Sequence, residues 1–164
     1  PAPCSSLLKP LRPTRFSEGV DLWLTAGTPQ LGRDCGKWYY ECRLGFGLND
    51  AQIGWATERF ETSRHCSGAG VGDDEHSWAA DGLRHIKWHV QQEEARWPEQ
   101  WSENDIVGCA IDIDAGTMSF SHNGVWVPAA GFEFRAAGRS FYPAASMRGQ
   151  FAFLLSSKAF IFGP

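Results

Sequence analysis

Apolar residues recur at every second position along several short stretches of this chain. Trp38, Tyr40, Cys42 and Leu44 alternate with Tyr39, Glu41 and Arg43. Val107, Cys109, Ile111 and Ile113 alternate with Gly108, Ala110 and Asp112. That period gives an extended chain one apolar and one polar face. Ile53 and Trp55 mark a shorter strand, Phe151, Phe153 and Leu155 another, and residues 160–162 a closing one. The best helical window, 90–101, is broken by Pro98 and has no apolar stripe. Asp114-Ala115-Gly116-Thr117 suits a hairpin turn, and Asn123-Gly124 suits one with positive φ at both positions. Short strands separated by turns predict an all-β sandwich.

The rest of the composition agrees. The chain has 164 residues, enough for one domain with its own core. It carries 18 Gly and 9 Pro, which favours many tight turns. Its apolar material is mostly rigid rings, with 8 Trp and 11 Phe against 2 Met, and rings suit sheet faces. Trp38 and Trp55, inside strand patterns, are expected in the core. Cys42 and Cys109 are expected there too, as packing material. Residues 1–17 read as an extended arm and 18–164 as the domain.

Several functions are disfavoured. The net charge is −4, without a basic stripe, so nucleic acid has no electrostatic footprint to bind. No run reaches the ~18–20 apolar residues of a membrane span. Residues 1–13 do not form a signal peptide, and the missing initiator Met suggests a piece of a longer protein. The five cysteines (Cys4, Cys35, Cys42, Cys66 and Cys109) contain no C-x-x-C pair. An odd count of this kind reads as reduced thiols in the cytoplasm or nucleus.

A search for reactive chemistry finds little. His85 and His89 are four apart, but on a strand that is about 13 Å, too far for one ion. Asp112-x-Asp114-x-Gly116 imitates a calcium loop with glycine where a ligand belongs. His65-Cys66 has no triad around it, and Gly68-x-Gly70-x-Gly72 lacks the strand, helix and lysine of a phosphate loop. The chain is therefore expected to be no enzyme and to need no cofactor or metal. What remains is a loop-like region, residues 58–104. It holds Trp78, Trp88, Trp97 and Trp101, and also His65, His76, His85 and His89. Trp and Arg dominate binding hot spots, which draws attention to Trp88 and Arg84.

The motifs also resemble a known family. Gly36-Lys37-Trp38-Tyr39-Tyr40-Glu41 is similar to the opening strand of SPRY domains, and Ile53-Gly54-Trp55-Ala56 to the next. Residues 71–78, with Asp81-Gly82 after them, resemble the family's central segment. The most specific stretch runs from Asp105-Ile106-Val107-Gly108-Cys109 through Asp112, Gly116-Thr117 and Phe120 to Asn123-Gly124. Phe141-Tyr142-Pro143-Ala144 resembles the late Tyr-Pro motif. The similarity covers residues 20–162 and looks strongest toward SPRY domains of ryanodine receptors and large ubiquitin ligases. Motifs of the longer N-terminal PRY segment are not found.

The resemblance implies a bent β-sandwich of two antiparallel sheets, a jelly-roll relative, acting as a non-catalytic protein-interaction module. SPRY domains of SOCS-box adaptors grip peptide with loops at one edge. Trp88-His89 matches the aromatic-His of that grip. Arg148-Gly149, preceded by Met147, matches its aromatic-Gly, with Arg148 in place of the aromatic. The expected site thus has Trp88 as anchor and Arg84, His85, His89, Met147, Arg148 and Gly149 as rim. Arg148 beside Arg84 favours an acidic protein or peptide partner. The isolated domain is expected to be monomeric, with neither nucleic acid nor membrane as partner. Two alternatives stand beside this: a passive scaffold packed within its own protein, and a lectin-like sandwich using Asp73, Asp74 and His76.

Overall fold

The computed structural model describes residues 23–61 and 70–164. The expected arm, Cys4, His65-Cys66 and Gly68 lie outside the described residues. Two antiparallel sheets form, as the alternation predicts. In the first the order is β1 (Leu24–Gly27), β11 (Phe141–Arg148), β3 (Asn49–Thr57), β4 (Ser77–Asp81), β5 (Ile86–His89) and β6 (Gln91–Glu94). In the second it is β10 (Phe132–Glu133), β8 (Thr117–His122), β7 (Ile106–Asp112), β2 (Lys37–Leu44) and β12 (Phe151–Leu154), with β9 (Val125–Trp126) also on β8.

The core lies between the sheets. Tyr40, Cys42 and Leu44 of β2 and Val107, Cys109 and Ile111 of β7 meet Ile53 and Trp55 of β3. The Tyr40 hydroxyl leaves its own sheet, donating to Gly54 O at 2.5 Å and approaching Ala144 O at 3.5 Å. A buried phenol needs such an acceptor, and here the acceptors belong to the opposite layer. Side chains of β3, β4 and β11 that point the other way form a second apolar cluster. Ala56, Val71, Ala79, Tyr142 and Ala144 pack there with Phe60 and Trp88.

The turns follow their side chains. Asp112 Oδ1 accepts from Ala115 N at 2.9 Å, and Asp114 Oδ1 from Gly36 N at 3.1 Å, so these acids build a hairpin. Asn123 and Gly124 have φ of 48° and 81°, the left-handed pair that a two-residue hairpin needs. Asp105 ties that hairpin down. Its carboxylate accepts from Ser102 N at 2.7 Å, His122 Nε2 at 2.7 Å and Asn123 Nδ2 at 2.9 Å.

Three expectations fail. Trp38 is 41% exposed; its Nε1 donates to Cys35 O at 2.7 Å, and Arg33 lies over its ring at 4.6 Å. It is the second residue of its strand, where it has a polar cap instead of a covering layer. Residues 58–104 are not a long loop, because β4, β5 and β6 lie within them. Trp78 on β4 is a core residue, and so are Trp97 and Trp101 from the irregular chain after β6, these two packed edge to face with centroids 5.0 Å apart. Finally, residues 160–162 pair with no strand. They form a strap over the outer face of the second sheet, where Phe160 meets Tyr39 edge-on at 5.0 Å. Glu41, a polar-face residue of β2, is buried beneath this strap.

Candidate functional site

Trp88 sits on β5 between Ala79 of β4 and Gln92 of β6. Its face of the first sheet is the one turned away from the core, and the indole lies half-buried on the second apolar cluster. Its Nε1 donates to Asp81 Oδ2 at 3.3 Å. Asp81 ends β4, and its side chain is fully buried. It accepts from Leu83 N at 3.1 Å and Arg84 N at 3.0 Å, which shapes the 82–85 turn, and from Arg84 Nε. Burial pushes the Asp81 carboxyl above its usual value, against the pull of Arg84 and Trp88. The guanidinium so held lies over the Trp88 ring, 5.0 Å from its centroid.

Arg148 arrives from the end of β11. Its Nε donates to Asp50 Oδ2 at 3.1 Å, and Arg84 Nη1 stands 3.9 Å from Asp50 Oδ1. One carboxylate therefore bridges the two arginines. Together with Trp23, Gln52, Asp73 and Val90 these residues line an open concavity of about 430 Å³. Asp73 fixes its floor, accepting from Gln52 Nε2 at 2.8 Å and Gly70 N at 2.7 Å. The backbone is strained around it: Asp50, His85 and Val90 have φ of 48°, 58° and 65°. A β-branched residue such as Val90 is seldom found there, and such strain clusters at working surfaces.

Of the seven expected site residues, Trp88, Arg84 and Arg148 line this concavity. The other four do not. His89 follows Trp88 on a strand and so points to the opposite face, where it stacks on Trp78. Met147 is turned inward for the same reason and is fully buried in the core. His85 occupies the neighbouring turn, and its carbonyl accepts from Ala95 N at 2.9 Å. Gly149, with φ of 94°, lies against the backbone of Gly47, where a Cβ would meet Gly47 O at 2.4 Å. It serves the turn after Arg148. Sequence reasoning missed Asp50, Gln52 and Val90 as site residues, and it read Asp73 only as loop or lectin chemistry. Asp50 and Arg148 are 98 positions apart, and no local pattern reports such a pairing.

A family model for the SPRY domain matches residues 37–155. The chain belongs to the SPRY domain family, which comprises in general protein-interaction modules. Among curated relatives, an E3 ubiquitin-protein ligase, RKP, of Arabidopsis thaliana is 37% identical over 115 residues. That alignment takes 68% of this chain and 8% of the ligase. A probable ATP-dependent RNA helicase, ddx1, of Dictyostelium discoideum is 29% identical over 121 residues, covering 69% of this chain and 13% of the helicase. The chain thus corresponds to a small part of the relatives it matches. Among the described residues, no helix is long and apolar enough to cross a membrane.

Proposed function

We propose that this domain is a non-catalytic recognition module of a larger protein, binding a peptide segment or partner domain through the face around Trp88. The observation that carries this is the concavity built from Trp88, Arg84, Arg148 and Asp50 on the face of the first sheet turned away from the core. A half-buried indole with a guanidinium over it is the kind of anchor that dominates interfaces. Asp50 pairs closely with Arg148 and lies at the edge of reach of Arg84, whose main partner is Asp81, so an acidic side chain on the partner would exchange with Asp50 at Arg148. The unbridged Cys35, Cys42 and Cys109 support a cytoplasmic or nuclear setting.

The test is affinity purification with mass spectrometry, comparing the wild-type domain with a Trp88→Ala/Arg148→Ala variant. Partners retained by the first and lost by the second, with thermal unfolding nearly unchanged, support the reading. Identical partner sets, or collapse of the fold, overturn the site. A domain that retains no foreign partner but docks on the rest of its own protein is instead a scaffold. In a second arm, Asp50→Asn should tighten an acidic partner and leave a neutral one unchanged.

A further inference from the structure

Trp38 stands outside the core, but its indole walls a slot of about 110 Å³ that opens between the two sheets. Tyr40 of β2 and Trp55 of β3 add further rings, set edge to face with centroids 5.1 Å apart. Leu31, Pro143 and Leu155 complete the apolar lining. These walls are held in place. Leu31 ends a 3₁₀ turn, Pro29–Leu31, closed by Gly32 N donating to Pro29 O at 3.1 Å. Arg33 follows, and reciprocal backbone bonds of 2.9 and 2.7 Å join it to Phe141 of β11.

The polar side chains of the slot have donors to spare and few acceptors. Trp55 is 3% exposed, and its Nε1 has no hydrogen-bond partner. Arg33 spends Nη1 on Gly32 O at 2.9 Å and has no carboxylate partner among the described residues. Guanidinium and indole groups only donate, and the Tyr40 hydroxyl is committed to Gly54 O. A ligand that fits must bring acceptors and need none. The surroundings also disfavour an anion. Asp34 above all, and Asp114 behind it, push the exposed Cys35 thiol above its usual value, and Cys35 O is the acceptor for Trp38 Nε1. A neutral carbonyl escapes that repulsion. Proline meets each requirement, because it has a compact apolar ring and a carbonyl but no backbone N–H. In a polyproline II segment no internal hydrogen bond occupies the carbonyls.

We propose that this slot binds one proline ring of a protein segment in the polyproline II conformation. The ring lies against Trp38, over a floor of Tyr40 and Trp55, and Arg33 donates to a carbonyl of the segment. Aromatic-lined grooves suit such segments, which arrive already ordered and lose little entropy on binding. The half-open Trp38 indole then has a use, since the layer missing over it is the ligand. No residue lines both this slot and the concavity at Trp88, so the proposal does not depend on that face.

The probe is a hexaproline peptide with acetylated and amidated ends, titrated into the full chain while the indole N–H signals are followed by NMR. The Trp38 and Trp55 signals should shift together with a Kd of about 10⁻⁴ M, and the Trp88 signal should stay in place. Trp38→Ala should weaken binding about ten-fold. Arg33→Gln should weaken it about three-fold; it removes no buried ring and keeps the test open if Trp38→Ala lowers stability. Trp88→Ala should leave binding unchanged. No saturation at millimolar peptide, or equal binding of a hexaalanine peptide, overturns the proposal. So does preference for hexaglutamate, which would assign the slot to an anion. Loss of binding in a folded Trp88→Ala variant would move the peptide to the other concavity and overturn it as well.

Discussion

His89 lies flat against Trp78, with ring centroids 4.4 Å apart and planes inclined by 13°. Its Nδ1 is 2.9 Å from Ser77 O, a contact that requires the proton on Nδ1. His89 is thus a wall of the core, although the residue before it on the strand, Trp88, belongs to the proposed binding face. His89→Ala should cost about 2 kcal/mol, from the lost stacking and an unsatisfied carbonyl. Thermal unfolding should fall by several degrees while partner affinity stays the same. Trp88→Ala should do the reverse, and a pair of melts and titrations separates the two.

Met147 and Arg148 make the same contrast on β11. Met147→Ala opens a cavity among fully buried neighbours and should cost about 2–5 kcal/mol. Arg148→Ala removes a one-third-exposed group whose surface ion pair with Asp50 is worth little, so stability should change by less than about 1 kcal/mol. Urea midpoints check both. Equal losses would mean that Arg148 is structural.

The alternation that betrays these faces is legible in the sequence, and so is most of the fold. Tyr40, Cys42 and Leu44 point inward as their spacing says, and the Asp114–Thr117 and Asn123–Gly124 turns close the hairpins foreseen for them. Trp38 has the right period but stands near the start of its strand, and period alone cannot say how far the opposite layer extends. Trp97 and Trp101 are buried from irregular chain, where no period exists to read. At the candidate site, Trp88 and Arg84 could be picked from residue type, and Arg148 from the family resemblance. Their shared counterion could not, because long-range pairing leaves no mark on local sequence.

The Asp105 knot predicts an acid-sensitive fold. Burial pushes this carboxyl up, but the hydrogen bonds from Asn123, His122 and Ser102 N outweigh it and hold it below its usual value. The unfolded chain, with Asp titrating near about 3.9, therefore binds the proton first as pH falls. The stability Asp105 supplies is full above that value and is lost as pH drops through the lowered one. Glu41 has the same sign: burial raises it, and the strap's N–H groups bring it below its usual value. Asp81, raised by burial, opposes them, since its folded form takes up a proton at higher pH than the unfolded chain. Urea unfolding at pH 7 and below pH 4 should show a larger fall for wild type than for Asp105→Asn. An equal fall in both would clear Asp105 of the effect.

Gly124→Ala should destabilise by about 1–2 kcal/mol, because its φ is 81°. It should also lift the strap, since the new methyl meets the Phe162 ring. Comparing it with Gly138→Ala separates the two effects: φ there is 72°, with no neighbour within 4 Å of the added carbon. Faster exchange of the Phe162 amide is expected in the first variant alone.

The Tyr40 hydroxyl, anchored on Gly54 O, acts as a rivet through both layers. Sheets joined only by apolar side chains can slide a little at low cost, whereas a hydrogen bond across them has one register. Loops at the rim of this sandwich therefore stand on a frame that resists shear. A partner docking on the proposed face would meet a die that is already cut, and most of the adjustment would fall to the partner.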